Sequence, residues 1–104
     1  MAHYDMHNPA FNVRALVKEL ILLEDHLSCN EKQCRECIIK HALKSEAWAE
    51  EGLTLSPDAG LSNLFQSLLP RLNVLVNNAL AGADCMSMAG EVRALRRELQ
   101  KRLM

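Results

Sequence analysis

"NVRALVKELILLEDHL", residues 12–27, decides the fold class of this chain. Val13, Leu16, Leu20, Leu23 and Leu27 recur at alternating steps of three and four, while Arg14, Lys18 and Asp25 fall on the other side. That spacing puts the apolar residues on one face of an α-helix, whereas a half-buried strand would need alternation at every second residue. No stretch of the chain has strand alternation. The segment therefore predicts an amphipathic helix, preceded by a polar, flexible tail over residues 1–10 that contains His3 and His7 and stops at Asn8-Pro9.

The same period recurs three more times. Over about residues 32–52, Cys34, Ile38, Ala42, Ser45 and Ala49 form one stripe at 100° per residue, flanked on one side by Cys37, His41 and Trp48. Gly52 is the expected stop of this helix. A third helix opens at "LSPDAG", residues 55–60: Ser56 suits the cap, Pro57 the first helical position, and Asp58 the positive end of the dipole. Its apolar face is built from Leu61, Leu64, Phe65, Leu68, Leu72, Leu75, Val76 and Ala79, and Pro70 predicts a kink or a break within it. A fourth helix, about residues 87–104, carries Met88, Val92, Leu95, Leu99 and Leu103 on one face and Arg93, Arg96, Arg97, Lys101 and Arg102 elsewhere. Four amphipathic helices with short connections predict an all-α fold, a small antiparallel up-down bundle forming one domain.

Composition sets the bounds on function. A chain of 104 residues with 49% hydrophobic and 24% charged residues is globular in composition, not disordered. The aromatics are few (Tyr4, Phe11, Trp48, Phe65), so the core must come from Leu, Val, Ile, Ala and Met. A net charge of −1 provides no general field for nucleic acid or an anionic membrane, and the basic surface of the fourth helix has no interleaved aromatics. It is expected to be a solvated face, with electrostatic docking the alternative. No apolar run approaches the roughly 20 residues that span a bilayer, and the N-terminus lacks an apolar signal region. The expected setting is the cytoplasm, with no membrane partner and no secretion. "LFQSLLPRLNVLVNNAL", residues 64–80, is apolar enough for two helix faces, which points to a protein partner or to self-association as a homodimer.

The chemistry concentrates in "HLSCNEKQCRECIIKH", residues 26–41. Cys29, Cys34, Cys37 and His41 form a set of three thiolates and one imidazole, which are borderline-soft ligands suited to tetrahedral Zn²⁺. Cys37 and His41 are one helical turn apart and reach a common point. Cys34 and Cys37 stand at a helix start, whose dipole stabilises thiolates. Cys29 would come from the loop, so the metal would staple the first helical hairpin at its turn. His26 is the reserve ligand, about 90° from the centre of the first helix's apolar face. Five candidates for four positions leave the choice of ligands open. The other readings are inert buried thiols and a redox pair, since a C-x2-C at a helix N-terminus suits disulfide exchange.

"CRECIIKH", residues 34–41, resembles the active-site segment of the flavin-linked sulfhydryl oxidases of the Erv/ALR type. Asp84-Cys85, following "NVLVNNALAG", is similar to that family's flavin-binding segment. The resemblance implies a redox pair at Cys34 and Cys37 and FAD as cofactor. A second resemblance runs over about residues 13–55, where "LLEDHL", "CIIKH" and "EAWAEEGL" are similar to a segment of small proteins of large DNA viruses and environmental phages. It implies a viral or accessory protein.

The remaining polar residues offer less. Glu19, Glu24, Glu46, Glu50 and Glu51 form no Glu-x-x-His pair of the kind a di-iron bundle uses, and are expected on solvated faces. Trp48 is expected to cover the Cys/His site or fill the core beside it, and Cys85 to be a free thiol. The resulting expectation is a non-enzymatic interaction module with a zinc-stapled hairpin. The alternative is a thiol-disulfide oxidoreductase.

Overall fold

A computed structural model describes residues 9–27, 32–55 and 58–102. Four helices, α1 (Pro9–Leu27), α2 (Lys32–Leu55), α3 (Ala59–Ala81) and α4 (Ala89–Lys101), account for most of them, with one 3-10 turn at Met86–Met88 before α4. The described residues contain no strand. α1 packs on α2 and α4, and α3 packs on α2 and α4, so each helix touches its neighbours in sequence and α4 closes the ring against α1. The register is antiparallel. Along α1 and α2, Asn12 bonds the Trp48 carbonyl while Glu19 meets His41, nearer the turn. Along α3 and α4, Asp58 pairs with Arg102 while Arg71 pairs with Glu91. This is the expected all-α up-down bundle.

The apolar stripes meet in the middle. Val13, Leu16, Leu20, Leu23 and Leu27 are all buried, as are Ile38, Ala42 and Ala49 of α2, Phe65, Leu68, Leu72 and Leu75 of α3, and Val92 and Leu99 of α4. Leu61, Leu64, Leu69 and Val76 pack partly buried against this core, so much of the second apolar face of α3 is used within the bundle; Val74 and Leu80 are exposed. Among the described residues no helix is long and apolar enough to cross a membrane.

The helix ends depart from the sequence reading for local reasons. α1 starts at Pro9, where a proline at the first helical position sacrifices no hydrogen bond, so Pro9 and Ala10 belong to the helix and not to the tail. Asp58 is the cap of α3, its Oδ1 accepting from the Gly60 N–H at 2.9 Å. Residues 1–8, Ser56, Pro57 and Leu103 lie outside the described residues. α3 runs unbroken through Pro70, which is exposed, as is Gln66, whose carbonyl loses its usual donor there and can turn to water. Gly82 ends α3 in the left-handed region at φ 73°, its N–H bonded to the Ala79 carbonyl.

Gly52 does not stop α2, which continues to Leu55. It marks a close approach instead. A β-carbon there would lie 2.6 Å from the Phe65 ring and 2.7 Å from Asn12 Oδ1, so glycine is what lets α1, α2 and α3 converge. In that space the fully buried Asn12 donates from Nδ2 to the Trp48 carbonyl at 2.9 Å.

Candidate metal and thiol centre

The antiparallel register of α1 and α2 brings the histidines of the two helices together. His41 Nδ1 lies 2.8 Å from Glu19 Oε2, with the two side chains only 12% and 15% exposed. The His26 ring lies nearly parallel to that of His41, at 10° and 5.5 Å between centroids. Cys37 is one turn before His41 on α2, half-buried and free. Moving two helical turns towards the hairpin carries Glu19 to His26 on α1 and His41 to Cys34 on α2, so the first cysteine of the C-x2-C stands level with His26. Of the expected ligands Cys29, Cys34, Cys37 and His41 and the reserve His26, the structure sets the His26 ring beside His41, with Cys37 one turn away on the same helix as His41.

The thiols are not all in one state. Cys34 is disulfide-bonded, while Cys37 and Cys85 are free. Cys29 lies outside the described residues. Among the described residues no three His, Cys, Asp or Glu side chains are gathered closely enough to hold an ion. Cys85 is buried against the core, its Sγ 3.7 Å from the Ala83 carbonyl and 3.9 Å from that of Leu75. Burial, and secondarily the Asp84 charge, push its thiol up, so it stays protonated and acts as a packing group.

Two glutamates are not on solvated faces. Glu19 orients His41, and its sequence signal was its position two turns before His26 on the same side of α1. Glu24 bonds Arg93 and Arg96 of α4, with its own side chain 8% exposed. The basic surface of α4 is correspondingly occupied: Lys101 pairs with Glu98, and Arg102 with Asp58. Arg93, Arg97, Lys101 and Arg102 nonetheless remain exposed, as the expected solvated face requires, while Arg96 is turned inward against Glu24. Trp48 stands edge-on to Phe11 at 6.0 Å, and the two rings line a groove of about 440 Å³ with Arg14, Ala15, Lys18 and Glu19. It therefore fills space beside the site.

Glu46 stands apart. Its partly buried carboxyl has an oxygen with no hydrogen-bond partner among the described residues, and burial followed by the Glu50 charge raises its pKa. A group that holds its proton more tightly when folded adds stability at low pH, and that contribution is lost as pH rises through the raised folded value. At neutral pH the charged carboxylate is a net cost. Glu46→Gln is expected to stabilise the protein by about 0.5–1 kcal/mol at pH 7. The difference should disappear near pH 4 in thermal melts followed by circular dichroism.

Comparison with protein-family models, with curated proteins and with solved structures finds no match, so the reading of this centre rests on its own geometry.

Proposed function

We propose that this chain is a small non-enzymatic interaction or assembly module whose α1–α2 hairpin is held by Zn²⁺ through His26, Cys34, Cys37 and His41. The observation that carries the reading is the Glu19–His41 contact beside the His26 ring. Histidines that ligate metals almost always give their other ring N–H to a carboxylate or carbonyl, which fixes the tautomer and raises ligand basicity. Glu19 occupies that position at Nδ1, leaving Nε2 as the nitrogen through which His41 would bind. Two imidazoles from two helices, with two sulfurs from the first turns of α2, make an S₂N₂ set suited to tetrahedral zinc. His26 takes the place in this set that the sequence pattern gave to Cys29.

Protein purified under a thiol reductant without chelator should carry about one zinc per chain by elemental analysis. Co²⁺ in its place should give the visible bands of a tetrahedral thiolate site. Cys37→Ser and His41→Ala should lose the metal, and Glu19→Gln should weaken it by about 10–100-fold, the usual effect of removing a carboxylate behind a ligand histidine. Zinc bound equally well by all of these variants, or absent from the reduced protein, would overturn the reading.

A thiol-disulfide oxidoreductase is the second reading: Cys34 is in a disulfide one turn from the free Cys37, so a thiol stands beside a bonded sulfur, although the expected Cys34–Cys37 pair is not itself joined. A yellow, flavin-bearing preparation that oxidises thiols, and stops doing so in Cys34→Ser and Cys37→Ser while their melting temperatures hold, would establish it.

A further inference from the structure

We infer that the groove walled by Phe11 and Trp48 is a docking site for a short acidic peptide segment of a partner protein. One large apolar side chain of that segment sits between the two rings, and its carboxylates lie over Arg14 and Lys18. The inference deepens the interaction-module reading above, on which it rests for the kind of occupant, and it does not depend on zinc.

The groove, about 440 Å³, runs along the outer side of the α1–α2 pair. Its apolar end is built by the rings of Phe11 and Trp48, both only partly buried, with centroids 6.0 Å apart and planes at 66°. The register of the two helices fixes this corner, because Asn12, the neighbour of Phe11, donates to the Trp48 carbonyl at 2.9 Å. Two rings at that angle form a notch. Ala15, one turn after Phe11, contributes only a methyl group to it and so leaves room. Such a notch suits a single apolar side chain, and tryptophan and arginine are among the residues that carry most of the binding energy at protein interfaces.

Charge decides what accompanies the anchor. Arg14 and Lys18 line the same groove, both exposed and four residues apart on α1. Like charges at that spacing repel, and an anion laid across them relieves the repulsion. The Glu19 carboxylate at the far end is already held by His41 at 2.8 Å, which leaves the two cations to an incoming anion. Arginine meets a carboxylate with a planar, two-pronged fork. The two cations are about 6 Å apart along the helix axis, close to the roughly 7 Å between alternate side chains of an extended peptide. A segment with carboxylates at alternate positions after the anchor therefore matches the groove.

Single-stranded nucleic acid fits less well. It needs flat stacking platforms for successive bases and a run of cations for its phosphates. The rings here stand edge to face, two cations share the groove with a carboxylate, and the net charge of the chain is −1.

The probe is the capped peptide acetyl-Ser-Phe-Ser-Glu-Ser-Glu-Ser-amide, titrated into the full chain and followed by the fluorescence of Trp48, its only tryptophan. Saturable binding with a Kd of about 1 mM or tighter is expected at low salt, with amide shifts concentrated at residues 11–19 and around Trp48. Replacing the phenylalanine of the probe by serine should weaken binding at least about 10-fold. The exposed double variant Arg14→Glu/Lys18→Glu should also weaken it at least about 10-fold, and should instead take up the peptide with lysines in place of its glutamates. Circular dichroism should show the variant folded. No saturable binding, equal binding of the acidic and lysine peptides by the wild type, or unchanged binding by the double variant overturns the inference. Phenylacetate binding as tightly as the peptide, or a single-stranded oligothymidylate binding more tightly, overturns the peptide as occupant. Zinc measured on the same samples separates the two readings. A zinc-bearing chain that ignores the probe loses the docking site and keeps the stapled module, whereas a zinc-free chain that binds the probe at these residues keeps the docking site and loses the staple.

Discussion

Phe65→Ala is expected to lower the stability of the bundle by about 3–5 kcal/mol, the range for deleting a buried phenylalanine ring. Phe65 is fully buried in α3, and two of its ring carbons lie 2.6 Å from where a β-carbon on Gly52 would stand. The ring thus fills the gap that the glycine opens, and alanine would leave a cavity bounded by two rigid helices with little means of collapse. Against a total stability of about 5–15 kcal/mol for a domain of this kind, the loss is a large share, and the melting temperature should fall by roughly 15–30 °C. Urea denaturation should show a lower midpoint with an unchanged slope. A double-mutant cycle with Gly52→Ala sharpens the test. In the wild type that substitution should destabilise by about 1–2 kcal/mol, because overpacking outweighs the gain in helix propensity. In a Phe65→Ala background the overlap with the ring is gone and the cost should shrink, though not vanish, since Asn12 Oδ1 is still 2.7 Å away. Additive effects would show that ring and glycine do not share this space.

What was legible in the sequence follows from which forces are local. The three-and-four spacing of Val13, Leu16, Leu20, Leu23 and Leu27 reports a burial pattern that any partner surface must respect, and all five are buried. The same holds for Ile38, Ala42, Ser45 and Ala49 on α2, where even the serine is satisfied locally, donating to the His41 carbonyl at 2.7 Å. Gly52 was misleading because a glycine that breaks a helix and one that admits a neighbouring helix look alike in sequence, and only the approach of Phe65 and Asn12 separates them. Glu19 and Glu24 were misleading for a related reason. Their partners stand 22 and 69–72 residues away, beyond any helical period, so nothing within a turn of either carboxylate signals the pairing and each reads as part of a solvated face. At the candidate site, Cys37 and His41 were legible as one-turn neighbours. The bonded state of Cys34 was not, because it depends on the approach of another sulfur and not on any local spacing.

Glu24→Ala is expected to cost about 2–3 kcal/mol, placing it between the exposed and the buried extremes of ion-pair loss. The two halves of the interaction differ. Arg93 is about half exposed and donates from Nε to Glu24 Oε1 at 3.2 Å, so alone it is worth well under about 1 kcal/mol. Arg96 is 17% exposed and grips both carboxylate oxygens, through Nε and through Nη2 at 3.2 Å, in a two-pronged arrangement that is stronger and more directional. Removing Glu24 would leave that guanidinium largely out of water, with Gln100 Oε1 at 2.6 Å as a neutral partner. The consequence falls on α4, the shortest of the four helices at 13 residues, whose fully buried anchors are Val92 and Leu99. Arg93→Ala should therefore change little, Arg96→Ala should cost nearly as much as Glu24→Ala, and the double Glu24→Met/Arg96→Met should recover most of the loss, since an apolar pair carries no desolvated charge. High salt should weaken the wild type only slightly, because a pair this enclosed is poorly screened. Should Glu24→Ala lie within about 0.5 kcal/mol of the wild type, the ordinary range for a surface change, α4 is held by its two apolar anchors and the charges only decorate the seam.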